Sequence, residues 1–262
     1  MIPLCQTPKS ACAACCGLYN AADNSRTDLQ KLLADRTARF AGILRCPEAI
    51  EDFGSREIER SFHTAPPPLP HFHHCPYIGF IDEAHRKPGC LLHPQVPANA
   101  GIDWRDLCHY GGFACRTYYC PSHESVSNRM HDLLQTAIDD WYAYGMIITR
   151  RHLLAFLEER LFSETRDIPL AATDRIDIVR KAAALVVDWP YRRNPVRDRI
   201  HYFFNDAPEQ PIASSRTLEA WMKSPESDIR WIDRFREIGS TFGTAVQMAD
   251  AVYRWRALTS KP

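Results

Sequence analysis

Three cysteines fall within five residues, at Cys12, Cys15 and Cys16. Four more follow in grouped settings: Cys75 in CPYIGFID, Cys90 in PGCLLHP, and Cys115 and Cys120 in FACRTYYCP. Thiols this dense oxidise, capture metal or form a redox site. The two-residue gap between Cys12 and Cys15 lets one tight turn present both thiolates to a metal, which suits zinc and iron–sulfur sites alike. Cys15 and Cys16, as neighbours on an extended backbone, point in opposite directions. That suits a polynuclear cluster better than one tetrahedral zinc, and seven grouped cysteines exceed the four of a structural zinc. The expected cofactor is therefore an iron–sulfur cluster of the 4Fe–4S type, with zinc as the alternative. The expected ligands are Cys12, Cys15, Cys16, Cys75, Cys90, Cys115 and Cys120. Cys5, Cys46 and Cys108 are read as spare, with Cys108 the first to be promoted. No catalytic residue is assigned.

Other groups nearby carry weaker signals. HFHHC at His71–Cys75 offers imidazoles, although a solvated, proline-bounded loop is the commoner use of such a stretch. His93 and His109 are candidates to hydrogen-bond sulfur or a substrate, and Arg105 and Arg116 to offset the charge of a thiolate-bound cluster. The aromatic run RTYY, ending at Tyr119, is expected to shield the cluster. The sequence holds no radical S-adenosylmethionine C-x3-C-x2-C, no G-x-G-x-x-G, no P-loop and no G-x-S-x-G. An enzyme here would work through the metal centre itself.

The cysteine segments, in this order, resemble the YkgJ-type cysteine-cluster family of zinc- or iron-chelating proteins, to which the flagellin lysine N-methylase is related. The family pattern is C-x2-CC, then Cys-Pro-aromatic, then a Cys before an IY/LH-like pair, then Cys-Arg with an aromatic. Cys12, Cys15 and Cys16 match the first element, Cys75-Pro76-Tyr77 the second, Cys90-Leu91-Leu92-His93 the third and Cys115-Arg116 the fourth. The stretch HPQVPANAGIDWRDLCHYGGFAC separates the last two elements more widely than the family does. The resemblance implies metal chelation by the matched cysteines. Through the methylase it also implies a protein-modifying activity such as lysine methylation.

The elements that must position these residues divide the chain into two halves. All ten cysteines lie in residues 5–120, and nine of the eleven histidines between 63 and 131. That region reads as a loop-rich cysteine-cluster lobe, residues 1–123, with two short helices. One follows Ser25, with Ser25 and Asp28 as a capping box and Leu29, Leu32, Leu33 and Phe40 at helical spacing. The other follows Pro47 and carries Ile50 and Phe53. Residues 124–262 read as an all-α lobe. Its stripes are Leu134, Ile138 and Trp141/Tyr142; then Leu153, Phe156, Leu157 and Leu161; then Ile176, Val179, Ala183 and Val186, stopped by Pro190. Asn194-Pro195 is expected to open a further helix. After Ser224-Pro225 comes one long helix bearing Ile229, Ile232, Phe235, Ile238, Phe242, Val246, Ala249 and Tyr253. The five tryptophans from Trp141 onward (Trp141, Trp189, Trp221, Trp231 and Trp255) are read as core or interface residues. The expected fold is mainly α, with the cysteine lobe packed on a helical bundle.

The 32 basic residues balance 32 acidic ones, so the total charge makes no case for nucleic acid. No stretch approaches the ~18 apolar residues of a membrane helix, and the N-terminus has no basic start followed by an apolar core. The expected setting is the cytoplasm, where thiols stay reduced, and the expected partner or substrate is another protein. Three roles stay open: a metal-cluster protein in redox or metal handling, a protein-modifying enzyme, and a zinc-stabilised interaction module.

Overall fold

The structure, a computed structural model, describes residues 3–64, 67, 72, 74–162, 170–193 and 211–259. The chain is mainly helical. It divides into two compact units, residues 1–120 with 140–145, and residues 121–139 with 146–262.

The first unit starts with a tight hairpin and a 3₁₀ turn, Ala14–Cys16, followed by α1 (Arg26–Ala41) and α2 (Pro47–Thr64). The Asp28 amide donates to Ser25 Oγ over 3.4 Å, and the Ser25 hydroxyl to the Asp28 carboxylate over 3.2 Å. This is half of the predicted capping box, since the Ser25 amide donates to Asp23 Oδ1 at 2.7 Å and not to Asp28. At α2 the Cys46 carbonyl accepts the Ile50 amide at 3.1 Å and Pro47 takes the first helical position, where a missing N–H costs nothing. The two helices were expected to be short but run to 16 and 18 residues. Leu29, Leu33 and Phe40 of α1 and Ile50 and Phe53 of α2 are buried, and the Phe40 and Phe53 rings lie 5.0 Å apart edge to face. A two-stranded antiparallel ribbon, β1 (Ile78–Phe80) and β2 (Pro88–Cys90), lies on α1. Two further 3₁₀ turns, Pro97–Asn99 and Arg105–Leu107, lead to α3 (Gly111–Thr117).

The second unit begins with α4 (Pro121–Ser125) and α5 (Asn128–Ala137). The predicted stripe from Leu134 to Tyr142 does not lie on one helix. Ile138 is extended, and Asp140 caps a new helix, α6 (Trp141–Ile148), by accepting the Ala143 amide on its carboxylate at 2.8 Å. The Asp139-Asp140 pair favours a cap over a continued helix because a short acidic side chain competes for backbone amides. Of α6, Trp141–Gly145 belongs to the first unit and Met146 onward to the second. Then come α7 (Arg151–Phe162) and α8 (Ala172–Val187), whose buried residues include Leu153, Phe156, Leu157 and Leu161, and Val179, Ala183 and Val186. The α7 stripe is as predicted. In α8 Ile178 is buried, whereas Ile176, expected in its place, is only half-buried, and α8 ends before Pro190 as expected.

The segment after Ser224 corrects the single long helix. It is α10 (Arg230–Glu237) and α11 (Ala245–Thr259), preceded by α9 (Ser215–Met222). Gly239 has φ +66°, a left-handed conformation that ends helices cheaply only at glycine. The chain then pairs in extended form, Ser240 with Arg192 and Phe242 with Ala213. Ile229, Val246 and Tyr253 are 64%, 77% and 68% exposed, so they are not core, whereas α11 buries Met248, Ala251, Val252 and Trp255. Trp189, Trp221, Trp231 and Trp255 lie in the core of this unit and Trp141 in that of the first. The helix expected after Asn194 lies outside the described residues. Among the described residues no helix is long and apolar enough to cross a membrane.

Candidate functional site

The thiols of the first unit come together through a series of backbone hydrogen bonds. In residues 5–12, Thr7 Oγ1 accepts the Ser10 amide at 2.7 Å and donates to the Ser10 carbonyl at 2.9 Å, closing a tight turn. The Cys12 amide then donates to the Cys5 carbonyl at 2.9 Å, which sets Cys5 and Cys12 opposite each other. Next comes the 3₁₀ turn. Cys15 and Cys16 therefore lie on a turn and not on an extended backbone, and each thiol shifts the other's titration. The premise of an extended chain is corrected here. The Cys16 carbonyl accepts the Cys75 amide at 2.9 Å. From Cys75 the chain enters β1, and pairing of Ile78 with Cys90 brings in β2. Cys108 and Cys115 stand with their sulfurs 3.0 Å apart, closer than free contact and well beyond a disulfide bond of about 2.05 Å. All ten cysteines are free thiols.

Burial raises most of these thiols, and the neighbours that add to the effect map who stands near whom. Burial pushes Cys5 up to about 12, with Cys15 and Cys120 adding. Burial also raises Cys12 far above the ordinary thiol range, and Cys15, Cys120 and Cys5 push the same way. Cys16 pulls Cys15 down, and Cys15, burial, Cys75 and Cys90 push Cys16 up. Burial raises Cys75, with Cys90 and Cys108 adding, and takes Cys90 to about 12. The hydrogen bond from Cys115 pulls Cys108 down to about 6, while Cys115, as its donor, is raised. Nine of the ten cysteines thus form one connected network. Cys46, the tenth, serves as the carbonyl cap of α2.

Several sulfurs face backbone amides in a repeated way. The Ala14 amide donates to Cys12 Sγ at 3.4 Å. The amides of Tyr77, Leu92 and Tyr110 likewise lower the thiols of Cys75, Cys90 and Cys108. In all four cases the donor is two residues after the cysteine. Such amide dipoles stabilise a thiolate, and hydrogen bonds to sulfur tune bound clusters.

Charged side chains hold this arrangement from outside. Arg36 is fully buried. It donates to the Cys75 and Ile78 carbonyls, both at 3.3 Å, and to Glu57 at 3.2 Å. Its guanidinium also faces His74 Nε2 at 3.3 Å, while His74 Nδ1 lies 2.8 Å from the Gly17 carbonyl. A guanidinium only donates and a carbonyl only accepts, so His74 is neutral with its proton on Nδ1. Both ring nitrogens are thereby committed to holding Gly17 against Cys75, and His74 is a brace. His71 and His73 lie outside the described residues. Asp103 takes two bonds from the Arg105 guanidinium, one from the Arg105 amide and one from Arg116, and Arg116 also meets Asp106 at 3.0 Å. These ion pairs tie the turn carrying Cys108 to the helix carrying Cys115, so both arginines are largely neutralised locally. His93 Nδ1 accepts the Gln95 amide at 3.1 Å, and His109 is exposed with its ring against Tyr110. The expected aromatic shield is corrected: Tyr118 and Tyr119 are 46% and 42% exposed. The rings that feel the thiols are Tyr77, Tyr110 and Tyr144 instead.

The donor chemistry fits a metal that favours soft sulfur. The spacing is not that of a closed single-ion site. Among the described residues no three His, Cys, Asp or Glu side chains stand together as ligands of one metal ion. Zn–S bonds of about 2.3 Å would draw four sulfurs tightly together, whereas a cluster takes each thiolate on a different iron and so accepts wider spacing. The sequence reading missed Cys5 and Cys108 as members of the network. The turn residues of TPKS between Cys5 and Cys12 were the available signal for the first.

No family model matches the chain, and no curated protein and no solved structure matches it significantly.

Proposed function

We propose that the first unit binds iron–sulfur chemistry through its cysteine network, and that the chain serves redox, metal handling or cluster-dependent modification of another protein. The observation that carries this reading is the gathering of free thiols by backbone bonds and strand pairing, Cys12 to Cys5, Cys75 to Cys16 and Cys90 opposite Ile78, with Cys108 against Cys115 and the Ala14 amide on Cys12 Sγ. An apolar core needs no such amides, and a disulfide scaffold would not leave every cysteine free. The resemblance to the YkgJ-type family supports the same chemistry, and its link to the flagellin methylase supports a protein substrate. A bound cluster would supply one-electron transfer or a Lewis-acidic iron. The chain's own part is to hold the thiolates at fixed spacing, aim amides at their sulfurs and exclude water with Tyr77 and Tyr144. Tyr110, Phe113, Tyr118 and Tyr119 form an exposed aromatic stretch beside the network, which favours a protein partner.

The test is anaerobic preparation followed by metal analysis. Iron and acid-labile sulfide in near-equal amounts, with a brown colour, are expected. Stoichiometric zinc without visible absorbance would leave a metal site but remove the iron–sulfur reading, and would favour the zinc-stabilised module.

A further inference from the structure

Cys108 and Cys115 are held together by a short clamped segment of chain. Cys108 closes the 3₁₀ turn Arg105–Leu107 by donating its amide to the Arg105 carbonyl at 3.1 Å, and its own carbonyl accepts the Gly111 amide at 3.0 Å. These bonds fold the chain back into α3, and Cys115 lies one turn along that helix. Ion pairs then fasten turn to helix. Asp103 accepts from the Arg105 guanidinium at 2.8 and 2.7 Å and from Arg116 at 2.9 Å, Asp106 accepts from Arg116 at 3.0 Å, and Arg105 also reaches the Cys115 carbonyl at 3.5 Å. Gly112 sits inside this clamp, where a Cβ would collide with the Asp106 carboxylate. The outcome is a sulfur–sulfur distance of 3.0 Å between two free thiols. The pair is also within reach of solutes: Cys115 is half-buried, and Tyr110 and Phe113 between the two cysteines are 44% and 78% exposed, while Cys108 is buried. Closing 3.0 Å to a disulfide bond of about 2.05 Å moves the sulfurs by about 1 Å, a small side-chain rotation.

From this geometry we infer that Cys108 and Cys115 are a reversible dithiol–disulfide couple, a redox modification site that exchanges with low-molecular-weight disulfides such as oxidised glutathione. The more exposed Cys115 sulfur, as thiolate, attacks one sulfur of the small disulfide. That S–S bond breaks, a mixed disulfide forms on Cys115, and one small thiolate leaves and takes up the proton. The Cys108 sulfur, held beside it, then attacks the Cys115 sulfur as its own proton departs. The mixed disulfide breaks, the Cys108–Cys115 bond forms, and the second small thiol leaves. Two electrons and two protons pass from the protein dithiol to the small disulfide, and the reverse exchange with a small dithiol restores both thiols. The couple goes beyond the iron–sulfur reading, and no step of it calls on a bound metal.

The full-length chain, purified anaerobically, tests this when it is equilibrated with reduced and oxidised glutathione over a range of ratios, alkylated and digested with trypsin. Cleavage after Arg105 and Arg116 leaves residues 106–116 as one peptide that holds Cys108 and Cys115 and no other cysteine. With rising oxidised glutathione this peptide should become lighter by two hydrogens and refuse alkylation, and dithiothreitol should reverse the change. The native chain should reach half-conversion at a smaller share of oxidised glutathione than the same chain in urea, because the fold supplies a high effective concentration of one thiol at the other. Cys108→Ser should instead accumulate the glutathione adduct on Cys115, and Cys115→Ser should never give the lighter peptide. Full alkylation of the native peptide in mixtures that close it in urea would overturn the couple. So would half-conversion at the same ratio with and without urea, or a native disulfide linking Cys115 to a cysteine outside residues 106–116.

Discussion

Arg36 shows how one residue can hold several parts of a site in place. Its guanidinium spans the Cys75 carbonyl, the Ile78 carbonyl, His74 and Glu57 with no exposure to solvent. A buried charge of this kind is costly unless every donor is used. Arg36→Met should therefore destabilise the first unit by about 3 kcal/mol, toward the lower end for a broken buried pair because Arg39 still holds Glu57. Arg36→Lys should not restore it, since one ammonium cannot serve four separate acceptors. Urea unfolding followed by circular dichroism measures both. At this scale the sequence was legible where thiols cluster and silent elsewhere. Cys12, Cys15, Cys16, Cys75 and Cys90 announce themselves by spacing and by their Pro and Gly neighbours. Cys5 and Cys108 do not, because their proximity depends on a hairpin and on an ion-paired turn far apart in the chain. Arg36 looks like any surface arginine until α1 is folded against β1.

Among the elements, α7 begins in an unusual way. Its first-turn amides, from His152 and Leu153, donate to the carboxylate of Glu237, which stands at the end of α10 and is 2% exposed. Glu237 so caps a helix from a distant position, and it also meets His152 Nδ1 at 2.8 Å. Glu237→Ala should cost about 1–3 kcal/mol, for lost cap bonds and stranded amides, read from the urea midpoint. The carboxylate raises the His152 pKa in the folded state. Protonated His152 is thus favoured by folding. Its contribution is complete below the unfolded value of about 6.5 and disappears as pH rises through the raised folded value. The melting temperature should fall across that window, and His152→Gln should flatten the profile. The same helices show what periodicity can and cannot reveal. The stripes of α7 and α8 and the Ser25 cap of α1 were readable. The breaks at Ile138–Asp140 and at Gly239 were not, because apolar residues on each side continue a plausible period. A capping aspartate and a left-handed glycine decide where each helix ends.

Over the whole molecule, α6 crosses the division of the chain, since Trp141, Tyr142, Tyr144 and Gly145 belong with the cysteine unit. The Tyr142 hydroxyl donates to the Asn24 carbonyl at 2.9 Å, and Trp141 Nε1 to Gln30 at 3.1 Å. A Cβ at Gly145 would collide with the Tyr19 hydroxyl and stand 3.5 Å from Cys12 Sγ, so Gly145→Ala should cost roughly 1–3 kcal/mol by overpacking. Thermal unfolding would record it. A fragment of residues 1–148 should give dispersed amide signals in solution, whereas 1–123 should aggregate, having lost three buried aromatic rings. Equal behaviour of the two fragments would show that α6 is dispensable to the cysteine unit. The crossing also has a consequence for the order of events during synthesis. All the cysteines emerge from the ribosome before α6 does, yet their unit waits for Gly145. At about 5–20 residues per second that leaves the finished set of thiols without its last helix for roughly one to five seconds. A nascent chain stalled with residues up to 139 outside the ribosome should therefore react rapidly with a thiol-alkylating probe, and one stalled after α6 has emerged should be protected.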